Sequence, residues 1–348
     1  MPRILFTGGG SAGHTVPCLA VLSALPKNYQ PLYMGTDGIE RRLVPETVPF
    51  LTVPAPKLER KFTLRNLTVP VRLLSAVRQA RRLLRREKPD LVFSKGGYAA
   101  LPACLAALRL HIPLILHESD LSFGLANRLC AKRCARICTS FPETAKKYPH
   151  AVCTGSPIRA ELFLADPLRA KRKYFSSPPP RPVLLVFGGG SGSQSLNALV
   201  KAALPRLLST FYILHIVGKK NALPASETGY LPLPYEQDMA SAYAASDFVL
   251  CRGGSNTLFE VLALKKAALV VPLSSSSRGD QAENAKYFAK KGLVHTAEES
   301  ALTAETLVTE LQKLVADRTL RQNLKRSDFQ NGTAKIVQTI EACCKGKP

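Results

Sequence analysis

Val183-Leu184-Leu185-Val186-Phe187-Gly188-Gly189-Gly190-Ser191-Gly192-Ser193 decides the fold, because it repeats a pattern already used at the start of the chain. Five consecutive apolar residues followed by a run of glycine and serine read as a buried strand ending in a Gly-rich loop. The first instance is Ile4-Leu5-Phe6-Thr7 followed by Gly8-Gly9-Gly10-Ser11-Ala12-Gly13-His14. Between the two, strands are predicted at 32–34, 91–94, 114–117 and 136–139, with helical stretches at 17–25, 71–86 and 101–110. After the second, strands are predicted at 212–217, 248–251 and 269–273. Alternation of this kind makes a parallel sheet with helices on both faces. Pro178-Pro179-Pro180-Arg181-Pro182 reads as a stiff linker before the second repeat. The expected fold is therefore α/β, with two doubly wound halves. Each sets its Gly-rich loop at the carboxyl end of its first strand, where such sheets bind ligands.

At 348 residues the chain has room for two ordinary domains, and 46% apolar residues supply both cores. No run of about 18 apolar residues occurs, so no membrane span is expected. Met1-Pro2-Arg3 leads directly into the first strand, so no signal peptide is expected either. Nine scattered cysteines suit a reducing compartment. Cys130, Cys134 and Cys138 repeat every four residues, which on a helix would share one face. Without a Cys-x-x-Cys pair or a nearby His, they read as core residues rather than metal ligands.

The net charge of +23 is concentrated. Between Lys57 and Lys88 there are eleven basic residues against Glu59 and Glu87. Nucleic acid or an anionic membrane would each attract such a stretch. No RNA-binding signature or interleaved aromatics accompany it, so the expected partner is a lipid surface and not nucleic acid. On a helical wheel Val69, Leu73, Val77, Ala80 and Leu84 face the core. Arg78, Arg81, Arg82, Arg85 and Arg86 face away with Leu74 among them, and Leu64 and Leu67 extend that apolar point.

Chemistry is concentrated at the strand ends. In Gly8–His14 the glycines let backbone approach a phosphate or sugar, and the helix start favours anions. The spacing also fits a dinucleotide fingerprint, for which Glu40 is the nearest ribose acid. His14 titrates near neutrality and suits a general base. Ser94-Lys95-Gly96-Gly97-Tyr98 is a second Gly turn, and His117-Glu118-Ser119-Asp120 ends another strand. In Cys251-Arg252-Gly253-Gly254-Ser255-Asn256-Thr257-Leu258-Phe259-Glu260, the N–H groups of Ser255, Asn256 and Thr257 would face a diphosphate, and Glu260 would hold ribose hydroxyls. Thr257-x-x-Glu260 is also the spacing of a capping box. Gln281 and Asn284, three apart, offer amides to sugar hydroxyls, while Asp280 reads as an N-cap.

Taken in order, these blocks resemble the MurG family. The resemblance runs from Ile4 to about Gly292. It also takes in Gly155-Ser156-Pro157-Ile158-Arg159, Leu196-Asn197 and Asp238-Met239-Ala240. The family's Gly-Gly-Thr-Gly-Gly-His becomes Gly9-Gly10-Ser11-Ala12-Gly13-His14. Its His-Glu-Gln-Asn becomes His117-Glu118-Ser119-Asp120, and a Gln-Gln or His-Gln pair becomes Asp280-Gln281. Ser191 stands for the family's Ser or its Gln, depending on a one-residue gap.

The resemblance implies a GT-B fold of two Rossmann-like domains facing a cleft. Residues 1–157 would bind acceptor and membrane, and 158–348 would bind UDP-GlcNAc, with the last helix, near 332–343, crossing back onto the first domain. It implies inverting transfer of GlcNAc to the 4-hydroxyl of the muramyl sugar in lipid I, giving lipid II, at the cytoplasmic face of the inner membrane. UDP-GlcNAc is then a co-substrate, with no cofactor and no metal. His14 is expected as the base, with Glu118 and Asp120 as alternatives. Ser11, Ala12, Gly13, Asp120, Arg159, Ser191, Ser255, Asn256, Thr257, Glu260, Gln281 and Asn284 are expected to bind substrate, Arg159 by offsetting charge on the leaving UDP. The alternatives are another GT-B enzyme, such as a glycolipid glycosyltransferase or a sugar-nucleotide epimerase, and a basic nucleic-acid-binding protein.

Overall fold

The computed structural model describes residues 1–57, 64–190, 192–273 and 279–345. The chain forms two compact units, Met1–Ile158 together with the residues from Asn331 onward, and Arg159–Gln330. The break thus falls one residue later than the sequence suggests, and the chain beyond Gln330 belongs to the first unit. The proline run does not separate the units; it lies inside the second, just before that unit's first strand.

The first unit carries β1 (Arg3–Gly8), β2 (Gln30–Gly35), β3 (Phe50–Thr52), β4 (Leu91–Gly96), β5 (Leu114–Glu118), β6 (Arg136–Thr139) and β7 (Ala151–Cys153). Its helices are α1 (Ala12–Ser23), α2 (Ile39–Leu43), α3 (Leu64–Glu87), α4 (Leu101–Arg109), α5 (Leu125–Cys130) and α6 (Pro142–Ala145). The strands are parallel and ordered β3-β2-β1-β4-β5-β6-β7. The second unit carries β8 (Val183–Phe187), β9 (Tyr212–Ile216), β10 (Tyr230–Leu233), β11 (Phe248–Cys251), β12 (Ala267–Val270) and β13 (His295–Thr296), ordered β10-β9-β8-β11-β12-β13. Its helices are α7 (Pro167–Tyr174), α8 (Gln194–Leu207), α9 (Met239–Ala245), α10 (Ser255–Ala263), α11 (Asp280–Lys290), α12 (Ala304–Ala316) and α13 (Arg318–Arg326). A last helix, α14 (Thr333–Lys345), follows.

Central strands such as β4, β5, β8 and β11 are buried along their whole length. Burial on both faces is why they read as unbroken apolar runs rather than alternating ones. Two cores flank the first sheet. One joins Leu5, Val92 and Leu116 to Ala76, Val77, Ala80 and Leu84 of α3. The other joins Ile4, Phe6 and Phe93 to Ile336, Val337 and Ile340 of α14. The chain re-enters this unit through a clasp. Ile158 N–H donates to Asn331 Oδ1 (3.0 Å), and Asn331 Nδ2 donates back to the Ile158 carbonyl (2.7 Å).

Two readings need correction. The helix expected from Pro17 begins at Ala12, five residues earlier; Pro17 sits inside it and gives up only one backbone bond. Cys130, Cys134 and Cys138 do not share a helix face, because α5 ends at Cys130 and Cys138 lies on β6. All three are buried and free. Among the described residues no helix is long and apolar enough to cross a membrane.

Candidate active site

In each sheet the strand order reverses beside the first strand, between β1 and β4 and between β8 and β11. Loops leaving adjacent strands there diverge to opposite faces and open a crevice at the carboxyl ends. The Gly-rich loops that follow β1, β4 and β11 leave the strands at these points.

In the first unit Ser11 precedes α1 in extended backbone and does not cap it. Its Oγ instead lies 2.8 Å from Nδ1 of the half-buried His14. Ala12 and Gly13 occupy the first turn. Glu40 supports the loop: Oε2 accepts from Gly10 N–H (3.1 Å), and Oε1 from the Thr36 N–H (2.9 Å) and hydroxyl (2.5 Å). Burial pushes its carboxyl up, but the hydrogen bonds from Thr36 and Gly10 outweigh that and hold it below the usual range. Glu40 is fully buried, so it is a strut for the loop and not a ribose ligand.

The turn after β4 presses on this loop. Gly97 has φ +85°, and a Cβ there would collide with the Gly9 carbonyl and lie 3.2 Å from His14 Cγ. Only glycine lets the second turn reach the imidazole. Beyond it Lys95 is buried, and its Nζ donates to Ser119 Oγ. Burial pushes the ammonium down, while the charges of Glu118 and Asp120 hold it up.

Glu118 is corrected from a candidate base to a loop organiser. Oε1 accepts from the N–H groups of Ser119 (3.0 Å) and Asp120 (3.2 Å). Oε2 accepts from Gly124 N–H (2.9 Å) and Asn127 Nδ2 (3.0 Å). With four donors on a buried carboxylate, no lone pair is left aimed at a substrate. Burial and the neighbouring Asp120 raise its pKa. Asp120 is half-buried, and its carbonyl accepts from the Thr144 hydroxyl at 3.3 Å.

In the second unit α10 starts at Ser255 after Gly254, whose extended backbone makes no side-chain cap. Asn256 and Thr257 complete the first turn, so Thr257 lies inside the helix and the capping-box reading fails. Glu260, one turn in, is held by another element: its Oε2 accepts from the Tyr243 hydroxyl at 3.0 Å. Burial raises its carboxyl, partly offset by Arg159 and by the Tyr243 hydrogen bond. Arg159 therefore lies within electrostatic reach of Glu260, and it also pairs with Glu161 at 3.9 Å.

Gly253 brings α11 close, since a Cβ there would lie 2.5 Å from the Gln281 carbonyl. Gln281 Oε1 accepts from Leu273 N–H at 3.0 Å, which fixes its amide. Asn284, three residues on, is fully buried in α11. Asp280 is not an N-cap either; Gly279, at φ +71°, holds that position. Ser191 and the serine run 274–277 lie outside the described residues.

Three residues escaped the sequence reading: Lys95, Arg252 and Tyr243. Arg252 is buried and ties three segments together. It donates to Ser193 Oγ (2.5 Å) and Ser195 Oγ (2.8 Å), to the Val271 carbonyl (3.1 Å), and to Glu299 Oε1 (2.6 Å). A signal for Lys95 and Arg252 was present, because both stand before two glycines at a strand end. Tyr243 had no local signal. Among the described residues no three His, Cys, Asp or Glu side chains converge as metal ligands.

Residues 4–139 match the glycosyltransferase family 28 N-terminal domain, and 183–340 match the family 28 C-terminal domain. A UDP-N-acetylglucosamine–N-acetylmuramyl-(pentapeptide) pyrophosphoryl-undecaprenol N-acetylglucosamine transferase of Clostridium botulinum is 40% identical, with 99% of this chain and all of the relative covered. The Clostridium tetani transferase of the same name is 40% identical, covering 97% of each chain. The crystal structure of Acinetobacter baumannii MurG superposes with a TM-score of 0.76 at 26% identity, covering 98% of this chain and 100% of that one. The two parallel sheets are those of a GT-B-type glycosyltransferase. With both family domains matched and 40% identity sustained along the chain, it belongs to the MurG family of glycosyltransferase family 28.

Proposed function

We propose that this protein transfers GlcNAc from UDP-GlcNAc to the 4-hydroxyl of the muramyl sugar of lipid I, yielding lipid II. The observation that carries the reading is the 40% full-length identity to transferases that bear this activity in their name. The site chemistry supports it. His14 Nδ1 faces Ser11 Oγ at 2.8 Å. With Nδ1–H donating to that hydroxyl, Nε2 carries the lone pair that takes the proton. The acceptor oxygen then bonds to C1 of GlcNAc as its proton passes to Nε2. The C1–O bond to UDP breaks, its electron pair leaves with the β-phosphate, and the configuration at C1 inverts. The first turn of α10, at Ser255, Asn256 and Thr257, offsets the charge that develops on UDP. Glu260 holds the ribose, and Gln281 holds the sugar. Incubation with UDP-GlcNAc and a lipid I analogue tests this, and absence of a disaccharide product refutes it.

The acceptor's polyprenyl chain places the reaction at a bilayer, and we assign α3 as the docking element on the cytoplasmic face. Leu67, Val71 and Leu74 are exposed on it, as are Arg72, Arg78, Arg82, Arg85 and Arg86. Each cation near an anionic surface contributes about 1 kcal/mol. The side chains of Leu64 and Arg65 lie outside the described residues. Reversing Arg78, Arg82 and Arg85 to Glu abolishes binding to anionic vesicles and spares activity on a short-chain, water-soluble acceptor. Unchanged vesicle binding, or equal loss on both acceptors, excludes α3.

A further inference from the structure

We propose that Tyr243 is a positioning residue for the donor. Its phenol fixes the Glu260 carboxylate so that the second oxygen is presented to the ribose hydroxyls of the nucleotide. The proposal rests on the reading of Glu260 as the ribose ligand.

Tyr243 lies on α9 and is fully buried, a setting in which a tyrosine hydroxyl must find a partner. That partner is Glu260 Oε2, at 3.0 Å. The ring position is set independently of any nucleotide. Phe187, the last residue of β8, meets it edge-on with centroids 5.9 Å apart and planes at 86°. The start of α9 is pinned in turn: Asp238 accepts from Ser241 N–H (3.0 Å) and from Lys173 Nζ (2.9 Å). A glutamate side chain left free would have to be ordered when ligand binds, at the expense of affinity. Here one oxygen is already held, and Oε1 takes no hydrogen bond from the described residues. The other ionisable groups whose charges act with Glu260 are Arg159, Glu161 and the Cys251 thiol.

Calorimetry on the full-length protein compares UDP with 2′,3′-dideoxy-UDP, which lacks both hydroxyls. The wild type prefers UDP by about ten- to a hundredfold, the range for hydrogen bonds to a charged group. Tyr243→Phe keeps the ring and its packing, so its melting temperature stays close to the wild type. Its preference for UDP shrinks by roughly threefold or more, through weaker UDP binding alone. The loss of UDP affinity on acidification also sets in at higher pH in this variant, because the phenol hydrogen bond that favours the carboxylate is gone. An unchanged preference, an equal loss for both ligands, or an unshifted pH profile overturns the role of Tyr243. Glu260→Gln separates the two ideas. If it retains the full preference, the ribose reading itself fails. If it loses the preference while Tyr243→Phe keeps it, Glu260 stands and Tyr243 falls.

Discussion

Lys95 and Arg252 hold the same place in the two halves of the chain. Each stands at the end of the strand beside its unit's first strand, Lys95 on β4 beside β1 and Arg252 just after β11 beside β8. The registers correspond, Thr7 pairing with Ser94 and Phe187 with Cys251, one residue before each cation. Each cation is buried and followed by two glycines. What differs is the reach. Lys95 Nζ gives one hydrogen bond among the described residues, to Ser119, beside the acids of a single loop. Arg252 spreads its fork over the Ser193 loop, α8, the end of β12 and Glu299. A lysine ammonium is a movable point charge that burial can deprotonate, whereas a guanidinium stays charged and rigid. The first half thus sets Lys95 beside Glu118 and Asp120 on one loop, with His14 beside the Gly97 turn. The second locks its loops together and leaves Glu260 Oε1 without a hydrogen bond from the described residues. The proposed function assigns proton transfer to the first half and ligand holding to the second.

The contrast breaks most visibly at His14. His14→Ala should cut turnover by roughly 10²–10⁴ and leave UDP affinity unchanged. Product formation under saturating donor, set against calorimetry with UDP, measures both. Near-normal turnover would move the proton chemistry elsewhere, with Asp120 the next candidate.

Next in size is the difference between the two cations. Arg252→Met removes a buried cation and its hydrogen bonds to Ser193, Ser195, Val271 and Glu299, and should destabilise the protein by about 3–5 kcal/mol. Lys95→Met removes one contact and should cost about 1–3 kcal/mol. Denaturant unfolding of the full chain reads both, and equal losses would erase the distinction in reach.

Glu260→Ala tests the holding half. UDP and UDP-GlcNAc should both weaken by about 1.5–3 kcal/mol. Gln281→Ala should weaken UDP-GlcNAc and leave UDP nearly alone. Because burial holds the Glu260 carboxyl above its ordinary range, UDP affinity in the wild type should fall on acidification at a higher pH than for an exposed glutamate. A drop in melting temperature without loss of UDP binding would return Glu260 to a purely structural role.

The smallest effect concerns stability. His215 lies between Tyr230 and Asn197, and burial pushes its pKa down to about 4. A histidine depressed in the fold favours unfolding wherever the unfolded chain binds the proton and the fold does not. Its contribution is therefore complete above about pH 6.5 and lost as pH falls toward 4. His117, neutral through burial and the charge of Lys95, plays the corresponding part in the first half. Melting at pH 7 and pH 5 should show the loss, and His215→Phe should flatten part of it.

The central strands were legible because burial on both faces turns them into apolar runs; 136–139, 183–187 and 248–251 were located to the residue. β3, β7, β10 and β13 were not, since two to four residues at a sheet edge carry no period. The Gly turns themselves were also legible, since the backbone there demands glycine. Glu118 was misread as a base because its lone pairs are already taken by four donors. Residue type and spacing suggest which groups bind ligand, but they do not reveal which groups the fold has already occupied. Tyr243 lies 17 residues from Glu260, and only packing joins them.

Cys251, the residue before Arg252, is the sole cysteine between Arg159 and Gln330. It is fully buried at the end of β11, and burial pushes its thiol up to about 12. A thiol reagent can therefore reach it only when that strand end opens. Its labelling rate in the absence of denaturant becomes a stopwatch for excursions of the second unit, and a nucleotide bound as proposed should slow it. The chain carries this reporter already in place, with no substitution needed to install it.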